Sequence, residues 1–300
     1  KDAVAIMLQK SGMLRALEKY SGWEQDATDY IYKAVTATST APARAINANF
    51  NPSTRAFASN QTNTLAIHGD SVVTDRTYLA DAEKGLRDLN STLVKDITRR
   101  VMGFADSYEA LLFNGSGADG NIKGLKTILD GSTTIPGFTA TYRVKNAKGS
   151  TGDSLDVSAQ AGQKKLIELL KTQRLDVENP LIMCMNSYTW ARIETAAFDS
   201  TDQFGQDIVK FGNMELVIVN DSAITLTEPD DAGTPAANTT SVYILSPGEM
   251  NFSLVSNSGL DWIDFDHQDN SNKGVEMWEI RSQWKIENAK AVKRIRNIYL

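Results

Sequence analysis

The side chains of this chain that could do chemistry are few and far apart. Gly115, Gly117 and Gly120 spell G-x-G-x-x-G, the glycine pattern that lets backbone N–H groups approach a pyrophosphate. That chemistry needs a strand ahead of the loop and a helix behind it. Here a long helical pattern precedes the glycines and a short apolar piece follows, which reads as a turn ending a helix. His68 and His267 fall in unrelated loops, with no second ligand at metal-binding spacing. Cys184 is the only cysteine and sits within PLIMCM (180–185), where a small buried, inert thiol is expected; no internal disulfide can form, which suits a reducing compartment. Asp261, Asp264, Asp266 and Asp269 crowd together, but the calcium-loop spacing with its closing glutamate is absent, so a solvated turn is expected. Asp230 and Asp231 lie in a Pro/Gly loop and read the same way. Arg15, Lys19, Arg99 and Arg100 read as helix faces or interface ion pairs rather than a phosphate track. No G-x-S-x-G, H-E-x-x-H or S-x-x-K appears. The chain therefore offers no catalytic, cofactor-binding or metal-binding set, and an enzyme is not expected.

The elements that would position such groups are clearer. From Leu79 to Phe113, Leu86, Leu89, Leu93, Ile97, Val101, Phe104, Tyr108 and Leu111 recur at steps of three or four, with charges between them. This spacing predicts one helix about 50 Å long at 1.5 Å per residue, capped by Asp75 or Thr77 and stopped at Asn114-Gly115. Residues 1–35 hold a broken amphipathic pattern (Val4, Met7, Leu8, Met13, Leu14, Leu17) with no packing partner of its own, expected to lie on something else. Residues 36–74 are rich in Ala, Thr, Ser and Asn, with weak alternation at 43–50 and 63–73. They read as a long two-stranded excursion standing away from the core. Residues 130–156 read as a surface loop and 158–174 as a helix capped by Ser158. Residues 180–185, 214–219 and 242–245 read as buried strands, 186–197 as a helix, and 275–289 and 291–298 as closing strands.

Three hundred residues with 41% hydrophobic and 23% charged content suffice for a large core. The net charge of −6 gives no global attraction for nucleic acid or an anionic membrane, and no apolar run approaches a membrane span.

Arm, extended loop, long helix, Asn-Gly turn and β-rich close, in this order, resemble the major capsid protein of tailed bacteriophages, the Hong Kong 97-type fold. The likeness spans nearly the whole chain. It is carried by LLFNGSGADGNIKGLKTIL (111–129), PLIMCMNSYTWARIETA (180–196), GNMELVIVNDSA (212–223) and VEMWEIRSQWKIENAKAVKRI (275–295). The resemblance implies an α+β fold with an N-arm (1–35), an E-loop (36–74) and a P-domain (75–185) holding the spine helix 79–113. It further implies an A-domain (186–255), closing P-domain strands (256–300) and a P-domain tip at 266–274. It implies a structural protein that self-assembles as pentamers and hexamers into an icosahedral shell around double-stranded DNA, without sequence-specific binding. Portal, scaffold or protease would act during assembly and a decoration protein could bind the outside. Assembly would take place in the host bacterial cytoplasm, with no membrane and no cofactor. Candidate contacts between subunits are Arg44, Phe50, Arg55, Phe57, Arg99, Arg100, Asn270, Asn272 and Lys273. Some family members join an E-loop lysine to a P-domain asparagine. Asn270 and Asn272 are candidates for the second partner, but no lysine occurs from 34 to 83, so no such cross-link is expected. The absent initiator Met fits either processing or an upstream piece. An encapsulin-like or gene-transfer-particle shell is the near alternative. A soluble α/β enzyme holding a phosphate at Gly115–Gly120 is the remote one.

Overall fold

A computed structural model describes residues 2–24, 30–32, 61–75, 87–118, 120–130, 144–147, 155–197, 210–211, 214–228, 238–257, 261–265 and 273–300. In chain order the helices are α1 (Asp2–Lys10), α2 (Gly12–Lys19), α3 (Arg87–Asn114), α4 (Leu125–Asp130), α5 (Gln160–Gln173) and α6 (Ser187–Ala197). The strands are β1 (Trp23–Glu24), β2 (Tyr30–Tyr32), β3 (Gln61–Asn63), β4 (Ala66–Asp75), β5 (Val144–Asn146), β6 (Leu155–Asp156), β7 (Ile182–Met185), β8 (Lys210–Phe211), β9 (Met214–Ile218), β10 (Thr239–Leu245), β11 (Phe252–Ser256), β12 (Asp261–Phe265), β13 (Lys273–Ile286) and β14 (Val292–Tyr299). Short 3-10 turns cover Arg174–Asp176 and Ala289–Ala291.

Two sheets organise the chain. The larger runs β5-β14-β10-β7-β9-β8, with β6 also on β14. β7 and β9 are parallel; β10 is antiparallel to both β7 and β14. The apolar run in β7 follows from burial on both faces. Ile182 and Cys184 join the core shared with α1–α4, whereas Met183 and Met185 join the core under α5 and α6. β10 splits the same way, Tyr243 and Leu245 against Val242 and Ile244. Alternation is a property of the backbone; only two-sided covering erases it from the sequence. Strands of this sheet come from both sides of residue 185: β5, β6 and β7 up to it, and β8, β9, β10 and β14 after it.

The smaller sheet runs β1-β11-β13-β12, and β4 lies along the other side of β13 for ten residues, from Asp75 opposite Lys273 to Ala66 opposite Ser282. In β13, Trp278, Ile280, Ser282, Trp284 and Ile286 are buried while Arg281 between them is exposed. That face lies on α3. The Tyr108 and Ser282 hydroxyls share a hydrogen bond of 2.6 Å, and the Trp284 indole N–H donates to the Leu112 carbonyl at 2.9 Å.

α3 has 28 residues, about 42 Å, and ends at Asn114 as expected. The expected start at Leu79 lies outside the described residues. Asp75 does not cap it, being the last residue of β4. Ser158 does not cap α5 either: Ala159 stands at that position without a side-chain bond, and the Ser158 hydroxyl donates to Asp156 at 2.6 Å.

Two larger expectations are corrected. The N-terminal segment has a partner within its own chain: Met7, Met13, Leu14 and Leu17 are at most 1% exposed, α1 packs on α3 and α2 on β9. Periodicity reported the apolar stripe but not what it would meet. The base of the extended excursion does not stand away from the core either. Ala66, His68 and Val72 of β4 are buried under the pairing with β13. His68 is thus a strand residue, not a loop residue. Residues 43–50 lie outside the described residues.

Candidate assembly surface

Where chemistry was conceivable, the structure uses the same groups to hold the chain together. The glycine turn after α3 folds tightly on itself. Its Gly115, Gly117, Asn121 and Gly124 N–H groups donate to Leu111, Ile122, Ala118 and Gly115 carbonyls at 2.8–3.2 Å. The Ala118 N–H takes the Ser116 hydroxyl, Ile122 takes His68 and Lys123 takes the Gln283 side chain, each at 3.2 Å. These seven donors are spent inside the chain and are not free to cradle a phosphate. The glycines answer a different need. A Cβ on Gly115 would stand 2.2 Å from the Ile122 carbonyl oxygen, and one on Gly124 would stand 2.4 Å from the Gly115 nitrogen.

Cys184 is fully buried beside the Met13 sulfur at 3.7 Å; burial, with the Glu109 charge adding to it, pushes its thiol pKa far up, so the thiolate that would react is disfavoured. Among the described residues no three His, Cys, Asp or Glu side chains converge as metal ligands. Among them, too, no helix is long and apolar enough to cross a membrane. A groove of about 460 Å³ is lined by Arg174, Leu175, Val177, Asn179, Pro180, Leu181 and Met214. Arg174 is the single charged residue there, too little for acid–base work.

The buried polar groups act as ties, and sequence reasoning missed them. Glu109, 1% exposed on α3, accepts from the Ser11 hydroxyl at 2.7 Å, the Met13 N–H at 3.0 Å and the Asn220 N–H at 2.9 Å. A carboxylate so placed meets the positive end of α2 and fastens it to the long helix. Arg294 (1% exposed) and Glu228 (2%) pair at 2.7 Å inside the larger sheet, and the Ser241 hydroxyl bonds both. Asn186 accepts from the Thr189 N–H at 2.8 Å, capping α6, and donates to the Ile224 carbonyl at 3.2 Å. A charged residue inside an amphipathic pattern was the available signal, as at Glu109, but its partners lie about a hundred residues away.

His68 carries a pH prediction. Its Nε2 accepts from the Ile122 N–H, and burial holds the imidazole below its ordinary value of 6.5. The unfolded chain therefore takes up this proton first. The stability tied to His68 is present above about pH 6.5 and is lost as pH falls through the lowered folded value. The wild-type urea midpoint should fall between pH 7.5 and 5 by more than that of His68→Gln, which keeps an acceptor but no titration. Equal pH dependence in the two proteins would refute it.

Of the candidate contact residues, Arg99 and Arg100 are exposed on α3, and Arg100 pairs with Asp96 one turn back at 3.3 Å. Lys273 opens β13 opposite Asp75. Arg44, Phe50, Arg55, Phe57, Asn270 and Asn272 lie outside the described residues, as does His267. Lys19 forms an ion pair with Glu215 of β9, within the chain, and Arg15 is exposed. Large apolar side chains stand in solvent at Leu175 and Met250 (both 77%), Ile67, Tyr188 and Ile218.

No protein-family model matches the sequence, and no curated protein matches it. Solved structures do. The capsid of a native GTA particle agrees with a TM-score of 0.62 at 14% identity, over 94% of this chain and 90% of that one. The capsid of cyanophage A-1(L) gives 0.62 at 11% identity, over 95% and 92%. The SrpI encapsulin of Synechococcus elongatus gives 0.55 at 9% identity, over 94% and 88%. The chain has the α+β fold of phage major capsid proteins, the Hong Kong 97-like class.

Proposed function

We propose that this protein is a structural subunit whose copies assemble into an icosahedral capsid shell enclosing double-stranded DNA. The observation that supports it best is the end-to-end agreement of the fold with shell proteins, spanning nine-tenths of both chains. The polar groups support it too: glycine-turn amides, Glu109, Arg294 and Glu228 are all consumed in fastening the chain to itself. What such a body offers others is surface, and closed shells need only surfaces that meet under rotation. In this reading α3 is the spine, residues 36–74 the E-loop, based on the pairing of β4 with β13 and reaching a neighbour with the part before it, and the β13 start the P-domain tip. The E-loop residues Arg44, Phe50, Arg55 and Phe57 and the tip residues Asn270, Asn272 and Lys273 contact other subunits, joined by Arg99 and Arg100. Without a lysine in 34–83 the shell holds by non-covalent contacts. The net charge of −6 suits a wall that does not grip its cargo along every subunit. Pentamers and hexamers, portal, scaffold, protease and decoration protein belong to this reading, as do assembly in the host cytoplasm and the absence of catalysis.

The encapsulin agreement favours a second reading, a shell around enzymes instead of a genome. Negative-stain microscopy of the expressed chain tests the class. Hollow isometric particles are expected, and a chain that stays monomeric even with its scaffold co-expressed would refute it. Nuclease-protected DNA inside native particles favours the capsid; enclosed enzyme favours the compartment.

A further inference from the structure

We propose that Glu109 couples two distant parts of the subunit: seating of the N-terminal helices sets the turn 219–224 and, through that turn, the start of α6. This coupling goes beyond the shell reading and holds whatever the copies build. One planar carboxylate faces both parts. Its Oε1 accepts from the Ser11 hydroxyl at 2.7 Å and the Met13 N–H at 3.0 Å, at the start of α2, while its Oε2 accepts from the Asn220 N–H at 2.9 Å. The two donors on Oε1 fix the plane, and the plane fixes where Oε2 points. Beside this link the backbones approach directly. A Cβ on Gly12 would stand 2.5 Å from the Ile218 carbonyl oxygen, so a larger residue would push α2 away from the end of β9.

Beyond Asn220 the turn is closed by its own bonds and gripped from two more sides. The Ala223 and Ile224 N–H groups donate to the Asn220 carbonyl at 2.8 and 3.2 Å, and the Ser222 N–H donates to the Asn220 side chain at 3.1 Å. Asn114, at the end of α3, donates to the Ser222 and Ala223 carbonyls at 3.1 and 2.8 Å. On the other side the turn meets the first residues of α6. The Ser187 hydroxyl donates to Asp221 at 3.1 Å, and Asn186, which caps α6, donates to the Ile224 carbonyl at 3.2 Å. Every step from Ser11 through Glu109, Asn220 and Ile224 to Asn186 is thus a direct hydrogen bond. With the N-terminal helices lifted, Glu109 keeps one of these three donors, water reaches it, and α2 no longer aims it at Asn220. The seated and lifted states of the N-terminal segment therefore bias the turn unequally, which is what coupling requires.

Hydrogen exchange in the unassembled chain tests this in both directions. Ser11→Ala removes a donor to Oε1, and Gly12→Ala forces α2 off the Ile218 carbonyl; neither residue belongs to the turn. In both variants the amides of Asn220, Ala223 and Ile224 should exchange about tenfold faster, within the usual range for coupled sites, with the β13 amides as in wild type. Coupling is reciprocal. Asn114→Ala, which loosens the turn from its far side, should therefore speed the Met13 amide, again without a change in β13. Unchanged exchange at 220–224 in both N-terminal variants overturns the inference. So does a Met13 amide that ignores Asn114→Ala, and so does acceleration spread evenly through β13, which would report a general loss of stability. None of these outcomes bears on whether copies assemble, so the shell reading stands or falls separately.

Discussion

Arg294→Met should destabilise the subunit by about 3–5 kcal/mol, the cost of leaving a buried carboxylate without its cation. The Arg294 and Glu228 side chains are 1% and 2% exposed, so water cannot replace the lost partner. Arg294 also donates to the Ser241 hydroxyl at 3.0 Å and lies over the Tyr243 ring at 5.9 Å, both on β10. After the substitution the nearest described cation to Glu228 is Lys126, with its Nζ 3.7 Å from the other carboxylate oxygen. Lys126 is a quarter exposed and sits on α4, so it can moderate the loss without cancelling it. The comparison that decides is the double variant Arg294→Met with Glu228→Gln. It removes both charges and should regain most of the stability, because a buried ion pair adds little over neutral side chains of similar size. Urea midpoints of unassembled subunits measure all three proteins. A single variant no worse than the double would show that the pair is not the tie described here.

Glu109→Leu should cost about 2–5 kcal/mol, and the loss should have an address. Two backbone N–H groups, that of Met13 buried and that of Asn220 partly buried, lose a charged acceptor, at roughly 1–3 kcal/mol each and less where water reaches the donor. The Ser11 hydroxyl loses its acceptor as well, while still accepting from the Leu14 N–H at 3.1 Å. α2 would thus keep one half of its cap and lose the other. Because Glu109 joins α2 to α3, the N-terminal helices should open before the sheets do. Trypsin should cut after exposed Lys10 and Arg15 faster in the variant than in wild type, ahead of cuts elsewhere. Glu109→Gln keeps one accepting oxygen but turns an amide N–H₂ toward donors, so it should fall between wild type and Glu109→Leu. An unchanged cleavage pattern at Lys10 and Arg15 would show that Glu109 does not fasten this segment. The test bears on assembly as well: these helices cover one face of β7 and β9, so freeing them would bare apolar surface.

Features that depend on neighbours along the chain can be read from residue order alone. The helix end at Asn114, the buried run at Ile182–Met185, the strand ending at Leu245 and the closing strands over 275–289 and 291–298 were legible because side-chain direction repeats every 3.6 or two residues. The order of these elements carried the resemblance to capsid proteins, and the fold bears it out although sequence comparison finds no relative. Which apolar stripe meets which is settled by the folded chain. Met13 and Leu17 looked like the face of a limb meant for a neighbour, yet they are buried against α3 and β9. His68 looked like a loop residue until the ten-residue pairing of β4 with β13 buried it. Glu109 reaches Ser11 across 98 positions and Arg294 reaches Glu228 across 66. The exposure of Leu175 and Met250 is equally a result of packing, since a Leu at a helix end reads the same whether covered or bare. Period reports that a side chain points somewhere; what stands there is set by distant residues brought near, and no local pattern encodes that distance.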